Sequence, residues 1–159
     1  MQQRSGIRIT ANLRIEIRDA ATGALKRRIE THNLVVTAGL NLLRDYLRGT
    51  PAVTGLNYFA IGTGTTAAAA GNTALQTEVF RDTYTQTSVT AGTLTIKYYL
   101  ASGSANGNTI AEAGLFGNGA TGAANSGTLF ARAVFAADAK TVSEAWTFTW
   151  DVTLADDGV

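Results

Sequence analysis

Two stretches near opposite ends of the chain alternate apolar and polar residues with a period of two, which restricts the fold more than any other feature of the sequence. In the first, Ile7, Ile9, Ala11, Leu13, Ile15 and Ile17 occupy odd positions, with Arg8, Thr10, Asn12, Arg14 and Glu16 between them. In the second, Val142, Glu144, Trp146, Phe148, Trp150, Val152 and Leu154 alternate with Thr141, Ser143, Ala145, Thr147, Thr149, Asp151 and Thr153. Successive side chains of a strand point to opposite faces, so each stretch is expected to be a strand with one buried face. On a helix the same residues would be scattered around the whole circumference. The aromatic face of the second stretch is expected to be core, or the strip against a neighbouring subunit.

The rest of the chain reads as shorter strands separated by turn chemistry. Asp19-Ala-Ala-Thr-Gly23 is a turn, and Leu25–Thr31 resumes alternation, so residues 7–31 are expected to form a β-hairpin. Thr37 is a candidate N-cap for one helix, with Leu40, Leu43 and Leu47 on a shared face, Gly49 at C′ and Pro51 just beyond. Asn57–Ile61 reads as a strand, Gly62–Ala70 as a loop, and Thr73–Val79 as a single helical turn. Phe80–Val89 and Thr93–Leu100, around Thr90-Ala91-Gly92, are expected to pair as a second hairpin. Thr109–Phe116 and Thr128–Phe135 are further strands around a glycine-rich loop, Gly117–Gly127. About eight strands and one short helix predict a single, mostly β domain over residues 1–159, an antiparallel β-sandwich or barrel. The basic hairpin, residues 7–31, is a candidate attachment arm.

Composition narrows the chemistry. There is no cysteine and one histidine, His32, which removes disulfides, thiol nucleophiles, cysteine-ligated metals and most imidazole dyads. No catalytic, cofactor-binding or metal-binding residues are expected, and no enzyme activity. Gly62-Thr-Gly-Thr-Thr66 could cradle an anion on its backbone amides, but it lacks the lysine and following helix of a phosphate loop and is read as a tight turn. His32, beside Asn33, is read as a hydrogen-bonded structural or interfacial residue. Glu112 lies in an apolar strand and must be paired if buried. Arg81 or Arg132 is the expected partner, and Arg81 is preferred. No apolar run is long enough to span a bilayer, and residues 1–6 lack the apolar segment of a secretory signal.

Charge is unevenly distributed, with a net +5 in residues 1–50 and −4 in residues 51–159. Arg8 and Arg14 lie on the polar side of the first strand, and Arg27 and Arg28 add charge in the second. These four arginines are the candidate partner-binding residues. They lack interleaved aromatics, so an acidic protein surface is expected rather than nucleic acid.

Three segments occur in the order found in a group of phage virion proteins: Tyr58-Phe-Ala-Ile-Gly-Thr-Gly-Thr-Thr66, Thr73-Ala-Leu-Gln-Thr-Glu-Val-Phe-Arg81 and Thr109-Ile-Ala-Glu-Ala-Gly-Leu-Phe116. With Asn33-Leu-Val-Val-Thr-Ala-Gly-Leu-Asn-Leu-Leu43, residues 33–135 resemble the N-terminal domain of phage tail-collar fibre proteins. The resemblance implies assembly rather than catalysis. A basic hairpin precedes the shared part and no shaft follows it, and a free-standing domain of this size also resembles the small decoration, or cement, proteins of phage capsids. The expectation is therefore a virion protein made in the bacterial cytoplasm. It would oligomerise, as a homotrimer, on the major capsid protein. A tail collar, baseplate or fibre-anchoring component is the alternative.

Overall fold

The computed structural model describes residues 6–50 and 52–156; Pro51 and the tail residue Asp157 lie outside them. In chain order the elements are β1 (Ile7–Asp19), β2 (Leu25–His32), β3 (Leu34–Val35), α1 (Thr37–Leu47), β4 (Leu56–Gly62) and β5 (Glu78–Thr83). They continue with β6 (Gln86–Thr90), β7 (Thr93–Leu100), β8 (Thr109–Gly117), β9 (Thr128–Ala139) and β10 (Glu144–Asp156). The strands form two antiparallel five-stranded sheets, ordered β2-β1-β10-β7-β6 and β3-β9-β8-β4-β5. They pack face to face as the expected sandwich.

The two alternating stretches pair with each other. All thirteen residues of β1 stand in register with β10, from Ile7 opposite Asp156 to Asp19 opposite Glu144. The odd residues of β1 and the even residues of β10 therefore share one face, and Leu13, Ile15, Ile17, Trp146, Phe148, Trp150 and Val152 are buried together. From the second sheet, Phe59 completes an aromatic cluster, with ring centroids 4.8 Å from both Tyr98 and Phe148. The hairpin of residues 7–31 is built into the first sheet, where β1 lies between β2 and β10.

The second sheet is covered on both faces. Residues 110–117 of β8 are all buried. Val36, Ala60, Leu75, Phe116, Ala120 and Leu129 form a smaller apolar cluster apart from the main core. Strands buried on both faces read as continuous apolar runs, which is why β8 lacks the alternation of β1.

Four local expectations are corrected. Thr37 is the first helical residue rather than the cap; Val36 occupies that position and makes no side-chain cap bond. The inward face of α1 is Gly39 and Leu42, not the Leu40, Leu43, Leu47 stripe, and Leu40 and Leu47 are 46% and 77% exposed. The helix lies so close to β9 that a Cβ on residue 39 would strike the Phe130 backbone. That approach turns the leucine stripe away. Residues 73–77 form no helical turn, and 80–89 is not one strand: β5 ends at Thr83 in the second sheet, and β6 begins at Gln86 in the first. At the crossing, the Tyr84 hydroxyl donates to the Leu56 carbonyl at 2.8 Å. The C-terminus of α1 is as expected, with Gly49 left-handed at φ +68°.

Candidate partner-binding face and buried charge sites

The outer face of the first sheet carries the even residues of β1 and β2 and the odd residues of β10 and β7, as the pairing registers require. It is broad, polar and rich in threonine. Thr93 and Thr153 share a hydroxyl hydrogen bond of 2.7 Å, and the Thr95 hydroxyl donates to Asp151 at 2.5 Å. His32 lies here as a structural residue, its Nδ1 2.7 Å from the Asn12 side-chain oxygen.

The four candidate arginines divide into two pairs. Arg8 and Arg14 are exposed and make no ion pair among the described residues; Arg14 stands across from Glu30 in the register without an ion pair to it. Arg28 is bound to Glu16 at 2.9 Å. Arg27 points to the other side of its strand, spanning the edge of the sandwich to Asp138 at 2.7 Å and Glu144 at 3.0 Å. The Glu144 carboxylate, and then Asp138, hold the Arg27 guanidinium above its ordinary value. Burial alone would raise the Glu144 carboxyl. Hydrogen bonds from Arg27, Lys26 and Trp146 outweigh it and lower the value. Arg27 and Arg28 therefore act within the fold.

Glu112 is fully buried, and its partner is Arg132, not the preferred Arg81. The Arg132 Nε and Nη2 reach it at 2.9 and 2.8 Å. The backbone N–H groups of Gly64, Gln76 and Thr77 donate to the same carboxylate at 3.0, 3.0 and 2.8 Å. Arg132 also donates to the Thr66 carbonyl and the Asn72 side chain, both at 3.0 Å. One ion pair thus fastens the whole loop between β4 and β5 to the second sheet. A Cβ on residue 64 would lie 2.5 Å from the Glu112 Oε1, and one on residue 62 at the same distance. The two glycines of the Gly-Thr-Gly motif exist for this close approach; residues 62–66 are a strand end and an irregular loop rather than the expected tight turn, and the anion that the Gly64 N–H meets is the chain's own Glu112 carboxylate. Gly64→Ala is accordingly expected to destabilise the fold by at least about 1–3 kcal/mol, measured by thermal melting.

Arg81 serves an equivalent site. It binds Glu78 through two contacts, at 2.7 and 2.9 Å, lies 4.1 Å over the Phe116 ring, and donates to the Ser126 carbonyl at 2.9 Å. The Glu78 carboxylate in turn accepts from the Asn125 N–H at 2.9 Å, which fastens the glycine-rich loop after β8. Lys140 closes a third loop; its buried ammonium donates to the carbonyls of Ser102 and Thr141 and to the Asn106 side-chain oxygen at 2.9–3.2 Å. Burial pulls that ammonium below the ordinary lysine value.

Sequence reading missed the Glu78–Arg81 and Lys140 sites and preferred the wrong arginine for Glu112. The available signal was slight. Arg132 stands opposite Gly114, two residues from Glu112 along β8, so the ion pair is a diagonal contact set by register.

No family model, curated protein or solved structure matches this chain.

Three segments, residues 58–66, 73–81 and 109–116, converge on these loop fastenings. Gly62 and Gly64 come from the first, Gln76, Thr77, Glu78 and Arg81 from the second, and Glu112 and Phe116 from the third.

Proposed function

We propose that this chain is a non-enzymatic structural protein of a tailed-phage particle that docks on an assembled protein lattice, as a decoration protein of the head shell. The observation that carries this reading is the exposure of Arg8 and Arg14, without ion-pair partners, on a broad polar sheet face. The buried charged groups, by contrast, hold loops in place. A rigid face with unneutralised positive charge suits an acidic protein surface. A protein that binds only the assembled lattice stabilises it by mass action. Copies of the chain would sit together on that lattice, as a homotrimer about a symmetric position.

The collar-fibre resemblance of the loop-fastening motifs favours a second reading, a collar, baseplate or fibre-anchoring component of the tail. Electron microscopy of particles carrying a labelled copy separates the two, since density at head three-folds supports decoration and density at the neck or tail tip supports the tail.

The variant Arg8→Glu/Arg14→Glu is expected to lose binding to particles while its circular dichroism stays that of the parent. Arg27→Gln and Arg28→Gln should bind undiminished, because those side chains are occupied within the fold. Full binding by the folded double reversal would remove the basic face from the interaction. The contact should also weaken as salt rises, because exposed charges are screened beyond roughly 10 Å at 0.1 M.

A further inference from the structure

The first sheet has a gap in its pairing. β10 covers all of β1, but β2 is in register with β1 only from Asn12 to Arg18. At His32 the chain leaves the first sheet, passes Asn33 and joins the second as β3. Among the described residues, the segment Ile7–Ala11 is therefore an open strand edge on that side, apart from one bond, from the Asn33 N–H to the Ala11 carbonyl at 3.2 Å. Backbone groups two residues apart in a strand point the same way, so those of Ile9 and Ile7 face the opening as the Ala11 carbonyl does.

The opening is a groove lined by Ile7, Arg8, Ile9, Asn33, Leu34 and Leu40. Ile7, Leu34 and Leu40 are 76%, 37% and 46% exposed. Asn33 borders the open edge through its backbone, and its side-chain amide nitrogen and oxygen are shielded from water and without a partner. Buried polar atoms without a partner are costly and call for an explanation. Arg8, on the polar side of the same segment, is exposed and makes no ion pair among the described residues.

We infer that the Ile7–Ala11 edge is a strand-addition site for an extended segment of a partner protein, alternating apolar and polar residues and placing a carboxylate near Arg8. Main-chain bonds to a free edge supply affinity, and side chains on alternate faces supply selectivity. The apolar side of the segment meets Ile7 and Leu40, while its acidic side meets the arginine. This rests on the reading of the chain as a docking protein, and names the chemistry of what it grips.

The test uses the whole chain and the capped heptapeptide Thr-Val-Glu-Val-Thr-Val-Thr, with controls carrying lysine in place of glutamate or proline at the central valine. Amide NMR is expected to show the glutamate peptide shifting Ile7, Ile9 and the Asn33 side-chain amide. The lysine peptide should bind roughly tenfold more weakly, the factor expected when an exposed ion pair becomes a like-charge contact, and the proline peptide should not bind. Arg8→Glu should reverse the preference between glutamate and lysine. Ile7→Pro, which removes a strand N–H at an exposed position, should lower affinity for every peptide. Equal binding of the glutamate and lysine peptides, shifts confined to other elements, or protection of this edge by self-association would each overturn the inference. If Ile7→Pro still binds particles as the parent does, the strand-addition site is wrong and the docking function stands. If the parent binds the peptide but no particle, the docking function is wrong and the site stands.

Discussion

Glu112→Gln is expected to lower the melting temperature by on the order of 10 °C. Loss of one partner from a buried ion pair typically costs about 3–5 kcal/mol, and each kcal/mol moves the midpoint of a domain this size by about 2–4 °C. The substitution keeps shape and size, so the loss is chemical. Five N–H groups converge on this carboxylate, from Gly64, Gln76, Thr77 and twice from Arg132. A glutamine offers one acceptor oxygen and adds two donors that point at other donors. It also strands the Arg132 charge, whose side chain is only 2% exposed. Arg132→Met should cost a similar amount by stranding the carboxylate. The double variant should lose less than the two single losses summed, because neither charge is then left alone. Glu112→Gln combined with Arg81→Met should come much closer to additivity, since Arg81 belongs to Glu78. Strict additivity in the Glu112–Arg132 pair would refute the coupling. Proteolysis gives a second readout: the loop between β4 and β5 should become the first site cut in Glu112→Gln.

Trp146→Ala and Trp150→Ala should each remove about 3–5 kcal/mol, the usual cost of deleting a large buried aromatic. Most domains have only about 5–15 kcal/mol in total, so either variant is expected to be largely unfolded or close to it at 37 °C. Both indoles are at most 1% exposed, and β10 presents them to the second sheet beside Phe148 and Val152. The conservative replacements should differ. The Trp146 Nε1 donates to Glu144 at 3.4 Å, whereas the Trp150 Nε1 is buried with no partner. Trp150→Phe removes an unsatisfied donor along with some volume, and should cost less than Trp146→Phe, which also takes a hydrogen bond from the Glu144 cluster. Chemical denaturation of the four variants checks the order; equal losses in the two phenylalanine variants would refute the role given to the orphan donor.

The alternation in β1 and β10 determined the architecture from sequence alone. A period of two assigns each residue to a face wherever a sheet has one wet side and one dry side, and β1 and β10 have both. The turn residues also determined the hairpins at Asp19–Gly23 and Ala91–Gly92, and Gly49 determined the end of α1. In β8 and β9 the same signal fails, because loops and a helix cover the second sheet and both faces became apolar. The burial of Glu112 followed from its apolar surroundings, but not the identity of its partner. The sequence favoured Arg81 over Arg132, and only the register between β8 and β9 brings Arg132 diagonally across from the carboxylate. Tertiary structure likewise separated the four arginines. Arg27 and Arg28 are neutralised by carboxylates on β1, β9 and β10, which residue spacing does not reveal. Arg8 and Arg14 remain open to a partner. The split of residues 80–89 between two sheets, the rotation of α1 onto Gly39 and the open edge beside Asn33 share one cause. Periodicity records which side of a strand is dry, whereas pairing depends on backbone bonds and close approaches between segments far apart in the chain.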